Sequence, residues 1–209
     1  MELPSTILSQ AVDALATLPG VGRRSALRYA LHLMKEPEGE VLHLAESLSR
    51  LKTDLRTCRL CHCVSDSDLC PICSSPKRQQ NVICVVENVQ DVMAIENTQQ
   101  YQGLYHVLGG VISPIDGIGP SDLTIRQLVD RLHRLTGSSG LEDCPVEVIL
   151  ALSGDVEGET TAFYIYRQIA DLGVKVSTLA RGLGFGDDLE YADALTLGRS
   201  IVNRQEFKP

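Results

Sequence analysis

The sequence lacks tryptophan, has only three phenylalanines in 209 residues, and contains no long apolar run. Its core therefore has to be built from leucine, valine, isoleucine and alanine. A membrane-spanning helix needs about 18 consecutive apolar residues. Because the sequence has no such run, we do not expect it to be an integral membrane protein. The first ten residues lack the basic patch and apolar stretch of a secretory signal, and a cytoplasmic location is expected. With 44% hydrophobic and 22% charged residues, the composition is that of an ordinary globular chain and excludes wholesale disorder.

Charge is distributed unevenly along the chain, whose net charge is -8. Residues 1–80 carry ten basic and nine acidic side chains, whereas residues 81–209 carry nine and eighteen. The stretch from Ala14 to Lys35 has four basic residues and no acidic one. The overall charge argues against a polyanionic partner, but the amino-terminal part permits one.

Cysteines are concentrated in one short segment, with five of the seven between positions 58 and 73. Four of them form two Cys-x-x-Cys pairs separated by eight residues: Cys58 and Cys61, and Cys70 and Cys73. Two such pairs supply four thiolates to one tetrahedral ion and leave no open position, which predicts one structural zinc per chain. His62 and Cys63 are the competing ligands.

The first 55 residues predict three short helices. Apolar residues recur at helical spacing from Ile7 to Leu18, again from Leu27 to Met34, and from Val41 to Leu51, where we expect them to face inward. Pro19-Gly20-Val21-Gly22 separates the first two helices.

This separating segment has the form of a helix-hairpin-helix turn. Gly20 and Gly22 let a phosphate approach the backbone, and the start of the second helix favours an anion. Arg23, Arg24 and Arg28 add positive charge, so we expect sequence-independent DNA binding here. The alternative is a tight connection followed by a solvated basic face.

From Asn81 onward, short apolar runs alternate with helical patterns. This alternation predicts a mostly parallel sheet with crossover helices, that is, an α/β domain. The predicted strands are 82–86, 104–108, 146–152 and 174–179, and the predicted helices are 89–96, 122–135, 159–172 and 188–202.

Acidic residues follow two of the predicted strands. Glu87 ends the first, and Asp155, Glu157 and Glu159 follow the third. If these strands are neighbours, the carboxylates could hold a magnesium ion. Alternatively, they complement the dipole of the following helix.

The order of these motifs resembles the bacterial RecR family of recombination mediators. The quoted pieces are Leu18-Pro19-Gly20-Val21-Gly22, the four-cysteine knuckle, Ile83-Cys84-Val85-Val86-Glu87, Asp116-Gly117-Ile118-Gly119-Pro120, Val156-Glu157-Gly158-Glu159, and Leu189-Glu190-Tyr191-Ala192-Asp193 with Thr196-Leu197. Together they span nearly the whole chain.

The resemblance implies a multidomain α+β protein. Its expected parts are a helix-hairpin-helix DNA-binding domain (1–55), a four-cysteine zinc finger (56–76), a Toprim domain (80–176) and a carboxy-terminal helical assembly segment (177–209). It implies zinc at Cys58, Cys61, Cys70 and Cys73 and DNA contact at the arginines of the hairpin. Glu87 matches the Toprim glutamate, and the acidic loop near Glu157 and Glu159 matches the family's partner-contact region. Glu87, Asp155, Glu157 and Glu159 are thus expected to contact a partner or a magnesium ion.

The function that the resemblance implies is non-catalytic. Such proteins form ring-like homotetramers around DNA and act with RecO and RecF to load RecA on single-stranded or gapped DNA, in the RecBC-independent RecF pathway of repair at the nucleoid.

Two departures from the family pattern bear on this function. Catalytic Toprim proteins carry two aspartates one residue apart where this chain has Ser153 and Asp155, so half of that metal pair is missing. Gly184 also replaces a proline in the loop before the last helix. The alternative functions are a magnesium-dependent Toprim-type DNA-processing enzyme that uses Glu87 and Asp155, and a small-molecule phosphate enzyme that uses the glycine-rich loops.

Overall fold

The computed structural model describes residues 3–137, 145–180, 182 and 188–202. The chain divides into two compact units, Met1–Leu55 and Arg56–Pro209. The described residues form a mixed α+β protein in which helices accompany a parallel four-stranded sheet.

The first unit contains three helices: α1 (Thr6–Leu15), α2 (Arg23–Leu33) and α3 (Glu38–Thr53). Ser5 caps α1, because its side chain accepts a hydrogen bond from the backbone N–H of Leu8. The buried core of the unit is small and lies between α1 and α2, where Val12 packs with Ala26 and Ala30. Alanines at these positions allow two short helices to approach closely.

Helix α3 differs from the sequence-based expectation. The helix is present, but none of its residues is buried, and the apolar positions predicted to face inward, including Leu44, Leu48 and Leu51, are exposed. The prediction of a helix was correct, because apolar residues that recur every 3.6 residues form a stripe along one side of a helix. The inward orientation was wrong, because the unit's core is completed by α1 and α2.

The second unit begins with a small cysteine-rich knuckle (residues 56–75). Strands β1 (Arg56–Thr57) and β2 (Val64–Ser65) pair antiparallel, and the one-turn helix α4 (Pro71–Ser74) follows. Pro71 occupies the first turn of α4, where its missing N–H and fixed φ cost nothing.

The rest of the second unit is a sheet with crossover helices. Its strands are β3 (Gln79–Val86), β4 (Gly103–Val107), β5 (Glu147–Ala151) and β6 (Lys175–Thr178), and its helices are α5 (Val89–Asn97), α6 (Ile125–Thr136) and α7 (Val156–Ile169). The strand order is β4-β3-β5-β6, and every pairing is parallel. The predicted parallel sheet is thus confirmed.

The two faces of the sheet carry different layers, because successive residues of a strand point to opposite sides. Ile83 and Val85 of β3 pack in one cluster with Leu128 and Leu132 of α6 and with Ile165 of α7. On the other face, Cys84 and Val86 pack in a cluster that also contains Val92 of α5 and the knuckle cysteines. The knuckle therefore belongs to the core of the second unit.

The last described helix, α8 (Ala194–Val202), is shorter than predicted. The sequence predicted a helix from Asp188, but residues 189–191 form turns, and the side chain of Asp193 accepts a hydrogen bond from the backbone N–H of Thr196. An aspartate that caps a helix start competes with helical continuation upstream. Gly184 lies outside the described residues. None of the helices that the structure describes is long and apolar enough to cross a membrane.

Gly158 fits tightly in the first turn of α7. A Cβ added there would lie 3.0 Å from the carbonyl carbon of Ser153 and closer still to its oxygen. We expect Gly158→Ala to lower the free energy of unfolding by about 1–3 kcal/mol through overpacking, although alanine favours a helix interior by about 1 kcal/mol over glycine. Urea unfolding of both proteins measures the difference.

The matched control is Gly198→Ala in α8, where an added Cβ would meet nothing within 4 Å. Its unfolding midpoint should not fall. Equal midpoints for Gly158→Ala and the parent protein would contradict the close packing between α7 and the end of β5.

Candidate functional site

The knuckle gathers the four cysteines of the two Cys-x-x-Cys pairs. Their sulfur atoms all lie within 4.8 Å of one another, and all four residues are buried: Cys58, Cys61, Cys70 and Cys73. Within the described ranges, no other group of three or more His, Cys, Asp or Glu side chains comes together in this way.

Backbone hydrogen bonds shape the knuckle around these sulfurs. The N–H of Cys58 donates to the carbonyl of Cys63 at 2.8 Å, and His62 adopts a left-handed φ of 60° that reverses the chain after Cys61. The N–H of Cys70 donates to the sulfur of Cys58 at 3.4 Å. N–H groups aimed at sulfur favour the thiolate, which is the metal-binding form.

The donor set fits a zinc ion. The Cys61 and Cys70 sulfurs are 3.5 Å apart, close to the separation of about 3.8 Å that a tetrahedral ion with Zn–S bonds of about 2.3 Å requires. Burial alone would raise the pKa of the Cys58 thiol, but backbone N–H groups lower it to about 6. The pKa of Cys61 is raised by its hydrogen bond with the Cys73 thiol and by burial. A divalent cation bound by these sulfurs would displace the proton that the Cys61 thiol holds.

The two competing ligands have other roles in the geometry. Cys63 is buried but is not a member of the group of converging sulfurs, and its carbonyl oxygen accepts the Cys58 N–H. The ring of His62 lies edge-on to the ring of His106, with centroids 5.1 Å apart.

The amino-terminal hairpin is a type II-like turn. The N–H of Val21 donates to the carbonyl of Leu18 at 3.0 Å, with Pro19 and Gly20 as the central residues. Gly20 has a φ of +77°, which glycine adopts readily and which this turn requires at its third position. Gly22 is the N-cap of α2 and has no capping side chain, so nothing covers the first N–H groups of the helix from that position.

The basic residues of α2 are not equivalent. Arg24 and Arg28 are exposed and line one groove together with Lys35 just after the helix. Arg23 forms a salt bridge of 2.9 Å with Asp13 of α1, which partly neutralises it. The sequence analysis treated the three arginines alike, because an acidic partner one helix away is not visible in a local pattern.

The acidic residues lie at neighbouring strand ends, because β3 and β5 are adjacent. Glu87 is half-buried and accepts a hydrogen bond from the backbone N–H of Ser153. Asp155 caps α7, since its Oδ1 accepts from the N–H of Gly158 at 2.7 Å and from the hydroxyl of Ser153 at 2.9 Å. Glu157 and Glu159 lie in the first turn of α7, where they complement the helix dipole.

One buried residue near the knuckle is not singled out by any motif. Arg131 of α6 is only 5% exposed and donates hydrogen bonds to the carbonyls of Leu60 and Tyr105. A signal was present in the sequence, because Arg131 shares the apolar stripe of α6 with Leu128 and Leu132, where a charge is out of place.

Comparison with known proteins gives family matches in the same order as these features. The chain matches models described as the RecR helix-hairpin-helix (residues 8–52), the RecR four-cysteine zinc finger domain (55–75), the Toprim domain (81–180) and the RecR C-terminal segment (182–205). The four converging sulfurs lie inside the segment matched by the zinc finger model.

Curated relatives resemble the chain over its full length. It is 52% identical to the recombination protein RecR of Bacteroides thetaiotaomicron over 99% of this chain and 97% of the relative. It is 54% identical to that of Porphyromonas gingivalis over 98% and 95%, and 50% identical to that of Flavobacterium johnsoniae over 100% and 97%. At this identity and coverage, the chain belongs to the RecR family of recombination proteins.

Proposed function

We propose that this protein is a non-catalytic, DNA-binding recombination mediator that acts with RecO and RecF to load RecA on single-stranded or gapped DNA. The observation that carries the proposal is the exposed basic face of α2, which begins at an uncapped glycine in a chain about half identical to recombination proteins named RecR.

The hairpin supports DNA binding through charge rather than base reading. The positive end of the α2 dipole and the backbone N–H groups after Gly22 favour a phosphate. Arg24 and Arg28 lie one turn apart on the exposed side, with Lys35 further along the same groove. These groups contact the phosphate backbone of DNA and not the bases, so binding is independent of DNA sequence and sensitive to salt.

Self-association supplies the rest of the affinity. A single chain with a net charge of -8 and one small basic face binds a polyanion weakly. A ring-like tetramer presents four such faces and raises the effective concentration of each.

We assign DNA binding to residues 1–55, the zinc finger to 56–76, the Toprim domain to 80–176 and assembly to 177–209.

Zinc has a structural role in this proposal. Four cysteine ligands complete a tetrahedral shell, so the ion has no position for water or substrate. The segment around the four cysteines is too short to fold by hydrophobic collapse alone, and the metal supplies the missing stabilisation.

The acidic strand ends support partner contact rather than turnover. Ser153 stands where a catalytic Toprim protein has its first aspartate, and its backbone N–H binds Glu87. Asp155 is used as the cap of α7. Magnesium requires near-ideal octahedral geometry. Carboxylates that already accept hydrogen bonds from backbone N–H groups are poorly placed to provide it.

Single charge removals on α2 test the DNA-binding proposal. We expect Arg24→Ala and Arg28→Ala to weaken binding to a fluorescent single-stranded oligonucleotide. Each should also reduce the log–log dependence of affinity on salt concentration by about 0.7, the contribution of one phosphate contact on a single strand. Fluorescence anisotropy across a salt series measures both quantities.

Lys52→Ala on α3 removes one exposed charge from the same unit and serves as the matched control, with an unchanged slope expected. Arg23→Ala should have a smaller effect than Arg24→Ala because Asp13 already neutralises Arg23 in part. Equal slopes in the parent protein, Arg24→Ala and Arg28→Ala would show that DNA binds elsewhere.

Cysteine variants test the metal centre. We expect Cys58→Ser and Cys73→Ser to lose bound zinc and to melt at a lower temperature, since either change removes one of four ligands. Cys63→Ser, in the same knuckle but outside the converging sulfurs, should retain one zinc per chain. Elemental analysis and thermal melts distinguish the variants, and retention of zinc by Cys58→Ser and Cys73→Ser would refute the assignment.

Incubation with magnesium tests the non-catalytic assignment. We expect supercoiled and single-stranded DNA to remain intact and unrelaxed on gels after incubation with purified protein and Mg²⁺. Cleavage or relaxation that Glu87→Ala abolishes would establish the alternative, a Toprim-type DNA-processing enzyme.

A further inference from the structure

Arg131 is a buried cation without an acidic partner. Its residue is 5% exposed, and the salt bridges formed within the described part of the chain do not include it. Both hydrogen bonds of its guanidinium go to uncharged carbonyl oxygens, those of Leu60 at 3.2 Å and Tyr105 at 2.8 Å. A buried charge is costly unless it is paired, so a counter-charge has to lie nearby.

The cysteine sulfurs provide that counter-charge. Leu60, whose carbonyl Arg131 binds, immediately precedes Cys61 in the knuckle. Burial lowers the pKa of Arg131, while the charges of Cys73, Cys61 and Cys58 act in the opposite direction. Burial and the charge of Arg131 lower the pKa of both His62 and His106, and neither imidazole can supply negative charge.

We propose that Arg131 is the positioning residue of the zinc centre, whose charge balances the metal–thiolate cluster and whose hydrogen bonds fasten the knuckle to the sheet. A divalent ion with four thiolates carries two net negative charges in a largely buried site. A guanidinium fixed beside it offsets part of that charge without occupying a coordination position. This proposal rests on the zinc centre of the preceding section.

The same residue fastens the knuckle to an edge strand. β4 is one of the two outer strands of the sheet, and the N–H of Val107 donates to the carbonyl of Cys61 at 2.7 Å. Arg131 binds the Tyr105 carbonyl two residues earlier, and the hydroxyl of Thr124 binds the Val107 carbonyl at 2.7 Å. The knuckle, Arg131 and Thr124 therefore bind three outward-facing backbone groups of β4, so metal binding and the edge of the sheet are coupled through Arg131.

The test compares zinc affinity in Arg131→Met, which removes the charge, and Arg131→Lys, which keeps it. Arg126→Met and Arg126→Lys, on the exposed side of the same helix, are matched controls. Competition with a chromophoric chelator is performed on the full chain. We expect zinc to bind about 10–100-fold more weakly in Arg131→Met, with a clearly smaller loss in Arg131→Lys and none in either control.

Thermal melts with and without zinc distinguish charge balance from a purely structural role of Arg131, which would not depend on the metal. Charge balance predicts that Arg131→Met lowers the melting temperature more in the zinc-bound protein than in the metal-free protein, because the proposed role of the guanidinium requires the metal–thiolate cluster. Affinity in Arg131→Met within twofold of Arg126→Met, or equal losses in Arg131→Met and Arg131→Lys, would overturn the proposal.

If Arg131→Met does not fold, the comparison of Arg131→Lys with Arg126→Lys tests the charge role of Arg131. Zinc binding more than about tenfold weaker in Arg131→Lys than in Arg126→Lys would overturn that role. A parent protein that binds no zinc would instead refute the metal centre itself.

Discussion

The packing of the cysteine knuckle against one face and one edge of the sheet is the interaction on which the second unit depends. The buried sulfurs belong to the same cluster as Cys84, Val86 and Tyr105, so the metal centre and the sheet share one core. The knuckle itself has only two-residue strands and a four-residue helix. Such a segment cannot bury enough apolar surface to fold alone, and its metal ligands and its contacts with the sheet stabilise each other.

Charge is distributed differently in the two units. The exposed basic face of α2 follows a turn that leaves the helix start accessible, whereas the acidic strand ends of the sheet are occupied with capping and backbone contacts. The first arrangement favours a polyanion, and the second disfavours one. The proposed DNA binding thus requires only one limited basic surface on a chain that has an excess of acidic residues.

Much of the fold could be predicted because its signals are local. The continuous apolar run of β3 and the periodic stripe of α6 each identify an element, and the spacing of Cys58, Cys61, Cys70 and Cys73 identifies the metal site. Features that depend on distant partners were not accessible in the same way. The exposure of α3 and the neutralisation of Arg23 by Asp13 arise from packing between elements, which periodicity does not encode. The apolar stripe of α6 places Arg131 on the buried face, but it does not reveal the carbonyl groups that Arg131 binds.

The covered edge of β4 has a consequence for the protein under metal starvation or oxidative stress. Unpaired backbone groups along an outer strand are a template on which a second chain can add a strand. As long as the Cys61 carbonyl and the Arg131 guanidinium occupy those groups, they are closed to a second chain. If loss of the metal loosened the knuckle, the Val107 N–H and the Tyr105 carbonyl would become available for β-pairing with a second chain.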